Sequence, residues 1–157
     1  MNGVIQSVRE LPISLTSNTA SITFKNDDVR SRSANCSCGG WLQHQEGSPL
    51  YQILDGGYYE IRFSANVSSA TAGEVALGLF QDGILVPGTT VISTIAAAGD
   101  VENVSFNKII KVCCRANATL TIGSVASVPD FTDLTAVGVD TETPIIANAN
   151  LIISKLA

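Results

Sequence analysis

The chain has 157 residues, 45% of them hydrophobic and only 15% charged, and a formal net charge of −5. That length suits one domain whose core hides about 70% of the surface an unfolded chain exposes. With nine scattered basic residues in an acidic chain, nucleic acid is not an expected partner, because gripping a phosphate backbone takes clustered Lys and Arg.

A typical soluble domain carries about 25% charged residues, so this one is short of polar cover. No uncharged run reaches the roughly 18 residues of a membrane-spanning helix. Burial against other subunits, without membrane insertion, is therefore the expected use of the apolar excess.

Residues 1 to 19 mix apolar pairs such as Val4-Ile5 with a polar end, Thr16-Ser17-Asn18-Thr19, and are expected to form a loosely packed arm. They lack a basic start followed by an apolar core, so no secretory signal is expected and synthesis in a cytoplasm is the default. Residues 20–157 form the expected folded domain. Within it, Ala20–Lys25 alternates, with Ile22 and Phe24 on one side, and predicts a first strand that Asn26-Asp27-Asp28 turns. Residues 34–42 and 50–54 predict short strands around the turn Glu46-Gly47-Ser48-Pro49.

The clearest pattern follows. After Gly56-Gly57, Tyr59, Ile61, Phe63, Ala65 and Val67 alternate with Tyr58, Glu60, Arg62, Ser64 and Asn66, the period of a half-buried strand. A strand over 74–81 points Val75, Leu77 and Leu79 one way and Ala76, Gly78 and Phe80 the other. Asp82-Gly83 then makes a tight hairpin into Ile84-Leu85-Val86, which Pro87-Gly88 interrupts. A Gly/Ala loop at 96–100 leads to a strand over 101–114 with Val104, Phe106, Ile110 and Val112 on one face and Ile109 on the other. Strands over 118–123 and 148–156 complete the chain, and in the last Leu151 and Ile153 oppose Ile152 and Leu156.

No segment has the three-and-four spacing of an amphipathic helix. Nine to ten short strands with regular turn signals predict an all-β, antiparallel sandwich of jelly-roll type. Several strands offer apolar groups on both faces, whereas a monomeric sandwich needs one. Gly78 and Ala76 either admit a further layer or fill a tight place inside the sandwich.

The ordered set of motifs resembles the trimeric jelly rolls of the tumour-necrosis-factor-like and complement globular-head superfamily, in its bacterial and bacteriophage branch. It comprises Ile22-x-Phe24, Trp41, Gly57-x-Tyr59-x-Ile61-x-Phe63, Val75-x-Leu77-x-Leu79 with Asp82-Gly83, Asn103-x-Ser105 before Ile109-Ile110, Leu120-x-Ile122, and Ala149-Asn150-Leu151-x-Ile153-x-Lys155-Leu156. The resemblance covers residues 20 to 157. It implies a homotrimer around a three-fold axis, with the 59–67 strand near the subunit contacts and Tyr59, Ile61, Phe63, Phe80, Phe106, Ile110, Leu151 and Ile153 at the interface or core. Without a collagen-like stalk or membrane anchor in this sequence, it points away from receptor signalling and toward a free-standing or particle-bound trimer.

Chemistry is thinly signalled. The single histidine, His44, sits beside a turn without a nucleophile context and is expected to be a surface polar residue, so no enzyme activity and no cofactor are expected. Cys36 and Cys38 project together while Cys113 and Cys114 project oppositely, a poor fit to a zinc site. A bridge between the pairs is conceivable, but buried free thiols are the expectation in a cytoplasmically made chain. Asp130, Asp133, Asp140 and Glu142 lie in a stretch without Lys or Arg. They read first as a solvated acidic loop, with calcium as the weaker alternative because no D-x-D-x-D-G spacing occurs.

The expected role is thus a structural virion protein, made in a host cytoplasm: a fibre, knob or capsid decoration docked to capsid or tail proteins through the N-terminal arm. Its outer loops, 68–73, 86–99 and 125–144, would contribute to host attachment. Trp41 and Tyr58 are the aromatics placed to stack on a host-surface glycan, although a core Trp is commoner. The alternative is a trimeric glycan- or receptor-binding module of a bacterial cell surface or spore coat.

Overall fold

A computed structural model describes residues 3–30, 40–113, 117–133, 135 and 137–157, with the side chains of Val29 and Arg30 outside the description. The described residues form strands only: β1 (Val4–Arg9), β2 (Ile13–Ser14), β3 (Asn26–Arg30), β4 (Leu42–His44), β5 (Tyr51–Ile53), β6 (Gly57–Ser69), β7 (Gly73–Gln81), β8 (Ile84–Leu85), β9 (Val91–Ile95), β10 (Glu102–Val112), β11 (Ala118–Ser124), β12 (Ser127–Val128), β13 (Val139–Asp140) and β14 (Pro144–Lys155). The first sheet runs β10-β6-β14-β1-β3, with β2 also on β14. The second runs β4-β5-β11-β7-β8, with β9 also on β7. Every pairing is antiparallel.

β6 is the spine of the first sheet, flanked along its length by β10 and β14, with Phe63 opposite Phe106 on one side and Leu151 on the other. Its inward residues Tyr59, Ile61, Phe63, Ala65 and Val67 are buried against the second sheet's Val75, Leu77, Leu79, Leu120 and Ile122. Removing each large apolar side chain from water contributes roughly 1.5–3 kcal/mol before the entropy of ordering it is charged. Tyr59 keeps its hydroxyl satisfied by donating to the Asp55 carbonyl at 2.6 Å.

The hairpin at Asp82-Gly83 forms as its sequence requires, with positive φ at both residues (52° and 80°). Asp82 is held in that geometry because its Oδ1 accepts from the Thr119 amide at 2.9 Å. On the outer side of β7, a Cβ on Gly78 would meet Leu85 Cδ1 at 2.6 Å and Val125 Cγ2 at 3.2 Å. Gly78 therefore admits the chain's own return layer, and that face of the second sheet is closed from within.

Three expectations are corrected. Residues 4–9 are not a loose arm: β1 lies inside the first sheet between β14 and β3. Its pattern misleads because the buried side carries Ile5, Ser7 and Arg9 while the outer side carries Val4, Gln6 and Val8. Second, Ala20–Lys25 is not a paired strand. It crosses between the sheets, touching the second through a Ser21–Gly123 bridge and burying Ile22 and Phe24 on the way. Asn26-Asp27-Asp28, expected as a turn, opens β3, in register with β1. Third, the loop expected over 86–99 contains β9, whose Ile95 is buried.

Candidate functional site

His44 is not a surface residue. β3 and β4 are end strands of the two sheets, and their side chains meet: His44 Nδ1 lies 2.8 Å from Asp27 Oδ1 and 2.9 Å from Oδ2. Nε2 lies 3.0 Å from the Ser48 carbonyl, and the ring stacks on Tyr51 at 3.9 Å. Oxygens thus face both ring nitrogens. Ser7 Oγ donates to the same Asp27 carboxylate. Serine, histidine and aspartate thus gather here, yet in the wrong order for catalysis. A triad passes a proton from serine to histidine, whereas Ser7 and His44 both bind Asp27, and Ser7 is fully buried. The cluster ties two sheet edges together and offers no exposed nucleophile.

The aromatics separate. Trp41 is half-buried and stacks on Tyr59 with centroids 5.5 Å apart, and its indole lies so close to Gly3 that any side chain there would collide with it. It extends the core. Tyr58, 48% exposed, stands on the outer face of the first sheet with Lys111 Nζ 5.9 Å from its ring centroid.

Of the residues expected at the interface or core, Tyr59, Ile61, Phe63, Ile110, Leu151 and Ile153 are buried between the chain's own sheets. Phe106 is half-buried beside Phe63, 5.4 Å between centroids, and Phe80 is half-buried on the outer side of β7.

The four acids do not converge. Asp130 accepts from the amide and hydroxyl of Thr132, at 2.9 and 2.6 Å, and these bonds hold its carboxyl below the usual range. Asp133 does the same for Thr135, while Glu142 accepts from Thr71 Oγ1 at 2.6 Å. Asp140 lies in the small β12–β13 ladder. Among the described residues no group of three metal-ligating side chains forms. Cys113 is exposed, against the expectation of a buried thiol. Cys36, Cys38 and Cys114 lie outside the described residues, as does the strand expected over 34–39.

What remains is the outer face of the first sheet. At one end it is apolar: Tyr58, Ile109 (57% exposed) and Leu156 (40% exposed), with half-buried Val4 and Ile152 between them. At the other end it is amide-rich. Asn103 Nδ2 donates to Asn66 Oδ1 at 3.0 Å, and Asn66 Nδ2 donates to Asn148 Oδ1 at 2.9 Å. Gln6 reaches Asn150 at 3.0 Å in the next rows. Sequence reasoning missed this row because its members come from three strands, and only the pairing register aligns them.

The fold is a known one. Murine APRIL crystallised at pH 5.0 superposes over 99% of this chain and 100% of its own, with a TM-score of 0.58 at 11% identity. The globular domain of zebrafish complement 1qA protein matches over 98% of this chain and 96% of its own, with a TM-score of 0.52 at 11% identity. No protein-family model matches the sequence, and no curated protein sequence matches it. The chain is thus an all-β, antiparallel jelly roll of the tumour-necrosis-factor and complement globular-head type.

Proposed function

We propose that this chain is a non-enzymatic structural subunit that assembles as a homotrimer and serves on a bacteriophage particle as a fibre, knob or capsid decoration. The outer face of the first sheet carries the reading: Tyr58, Ile109 and Leu156 stand exposed together on a sheet whose other side already holds the core. Stable interfaces hide about 800 Å² per partner, and apolar groups at their centre contribute most of the attraction. The trimeric jelly rolls that the sequence resembles support three copies, and their phage branch supports the particle. A building block of this kind acts by shape and needs no reactive centre, in keeping with the buried Ser7 and the triad-breaking order at Asp27.

Made in the host cytoplasm, the subunit would reach the virion by docking to capsid or tail proteins. Residues 4–9 are committed to the first sheet, so a free N-terminal arm is not the docking element. Host attachment falls to the loops. Trp41 is engaged with Tyr59, and Tyr58 would be covered in the trimer, which removes both from glycan stacking. The β12–β13 hairpin instead presents Phe131 at 67% exposure, and this favours the second reading, a trimeric receptor-binding module of a bacterial surface.

Light scattering of the purified chain tests the assembly: a mass three times the 16.4 kDa of one chain is expected at micromolar concentration. A single-chain mass would overturn it. Mass spectrometry of purified particles decides between virion and cell surface.

A further inference from the structure

The row Asn103–Asn66–Asn148 has a direction. Each hydrogen bond runs from the amide nitrogen of one residue to the oxygen of the next, from the β10 edge toward β14. The middle residue is half-buried and spends both kinds of group inside the row, while Asn103 and Asn148 are exposed. At the β10 end, Asn103 Nδ2 is further held by the Ala65 carbonyl at 3.2 Å, which leaves its Oδ1 pointing out of the row as an acceptor. At the other end Asn148 uses Oδ1 within the row, which leaves Nδ2 as a donor. One end of the row accepts and the other donates.

We infer that this row sets the register between copies of the chain, the accepting end at Asn103 of one subunit meeting the donating end at Asn148 of the next. The inference rests on the homotrimer reading above and adds to it which polar residues meet, and in which sense. A head-to-tail ring joins the accepting end of each copy to the donating end of the next in the same sense at every contact, as a three-fold assembly requires. Amides that such a contact covers fix register because a slipped alignment leaves a donor or acceptor unpaired away from water.

The charge on the face suits a second copy of the same acidic chain. The whole chain carries −5, yet the outward positions of β1, β6, β10 and β14 between Val4 and Ser154 hold one carboxylate, Glu60, against Arg62 and Lys111. Glu60 is itself engaged, accepting from Asn107 Nδ2 at 3.1 Å with Arg62 Nε 3.8 Å away. Two copies can meet here without setting acid against acid.

The test is a cysteine pair, Asn103→Cys with Asn148→Cys, oxidised with copper–phenanthroline and run on a non-reducing gel. Within one chain the two positions are separated by two strand spacings, roughly 9.6 Å, beyond the about 7 Å between Cα atoms that a disulfide tolerates. A bond can then form only between subunits, and a closed ring gives covalent trimers that vanish on reduction. Each single-cysteine variant controls for the native thiols and should give none. If the double variant scatters as a trimer in reducing buffer yet yields no covalent trimer on oxidation, the register is wrong while the assembly stands. A single-chain mass for the unaltered protein overturns both.

Discussion

A polar side chain shut away from water needs its hydrogen-bond partners to stay in place, and Asp27 is the clearest case in this chain. Its side chain is 6% exposed, held by Ser7 Oγ and by His44 Nδ1 at 2.8 Å. Replacing His44 by Ala leaves the Asp27 side chain without its ring-nitrogen partner in a nearly closed place, and should cost about 1–3 kcal/mol of unfolding free energy in urea titrations. His44→Phe keeps a ring on Tyr51 but not the bond, so it should recover little of the loss; full recovery would mean that stacking alone matters. Tyr59 gives a pH signature. Burial, and secondarily the Asp55 charge, push its phenol up from 10.0 to about 12. A group whose folded value lies above its unfolded value stabilises the fold below the unfolded value, and that share is lost as pH rises from 10 toward 12. Tyr59→Phe forgoes the bond to the Asp55 carbonyl, about 1 kcal/mol at neutral pH. Its melting temperature should then fall less steeply than that of the parent between those pH values, and parallel curves would count against the assignment.

Two strands, β1 and β3, failed to announce themselves for one cause: each turns a polar residue inward. β1 buries Ser7 and Arg9, and β3 turns Asp27 inward between exposed Asn26 and Asp28, because the closed edge of the sandwich is a hydrogen-bonded cluster in place of an apolar seam. Arg9, with Nη1 on the Thr23 carbonyl at 3.0 Å, fastens the crossing segment to the same edge. On the other side of the molecule the β7–β8 hairpin folds back on its own sheet, and Thr89 pins the return by accepting from the Leu79 amide at 3.0 Å and donating to the Val86 carbonyl at 2.7 Å. Gly78→Ala puts a methyl group 2.6 Å from Leu85 Cδ1, overpacking that should cost about 1–3 kcal/mol by chemical denaturation. Leu85→Ala in the same chain should restore part of it, a coupling absent if Gly78 matters only for its backbone.

For the whole molecule, the two sheets differ in what their outer faces still need. The second is covered around Gly78 and Gly123 by Leu85, Val125 and the Ala20-Ser21 crossing. The first is open, with Tyr58, Ile109 and Leu156 exposed at one end and amides at the other. Ile109→Asp should therefore leave the single chain folded, because the residue is 57% exposed, yet shift the scattering mass from three chains toward one. A variant that remains trimeric would move the contact elsewhere on the surface. Glu60→Lys combined with Arg62→Glu, which exchanges the two charges, separates apolar contact from charge and should change assembly less than Ile109→Asp does.

The antiparallel β-sandwich was legible in the residue pattern, as were β6, β7, the Asp82-Gly83 hairpin, β10 and β14, because alternation along one strand is a local property that the pleat converts directly into two faces. It also held the apolar excess that points to assembly. It took the folded arrangement to make residues 4–9 an inner strand, to bury His44, to set Gly78 against the chain's own Leu85, and to line up three asparagines from β10, β6 and β14 in one row. Each of these depends on which strand lies beside which and in what register, set by contacts between residues as far apart as Asn66 and Asn148, and no pattern within a single strand encodes it.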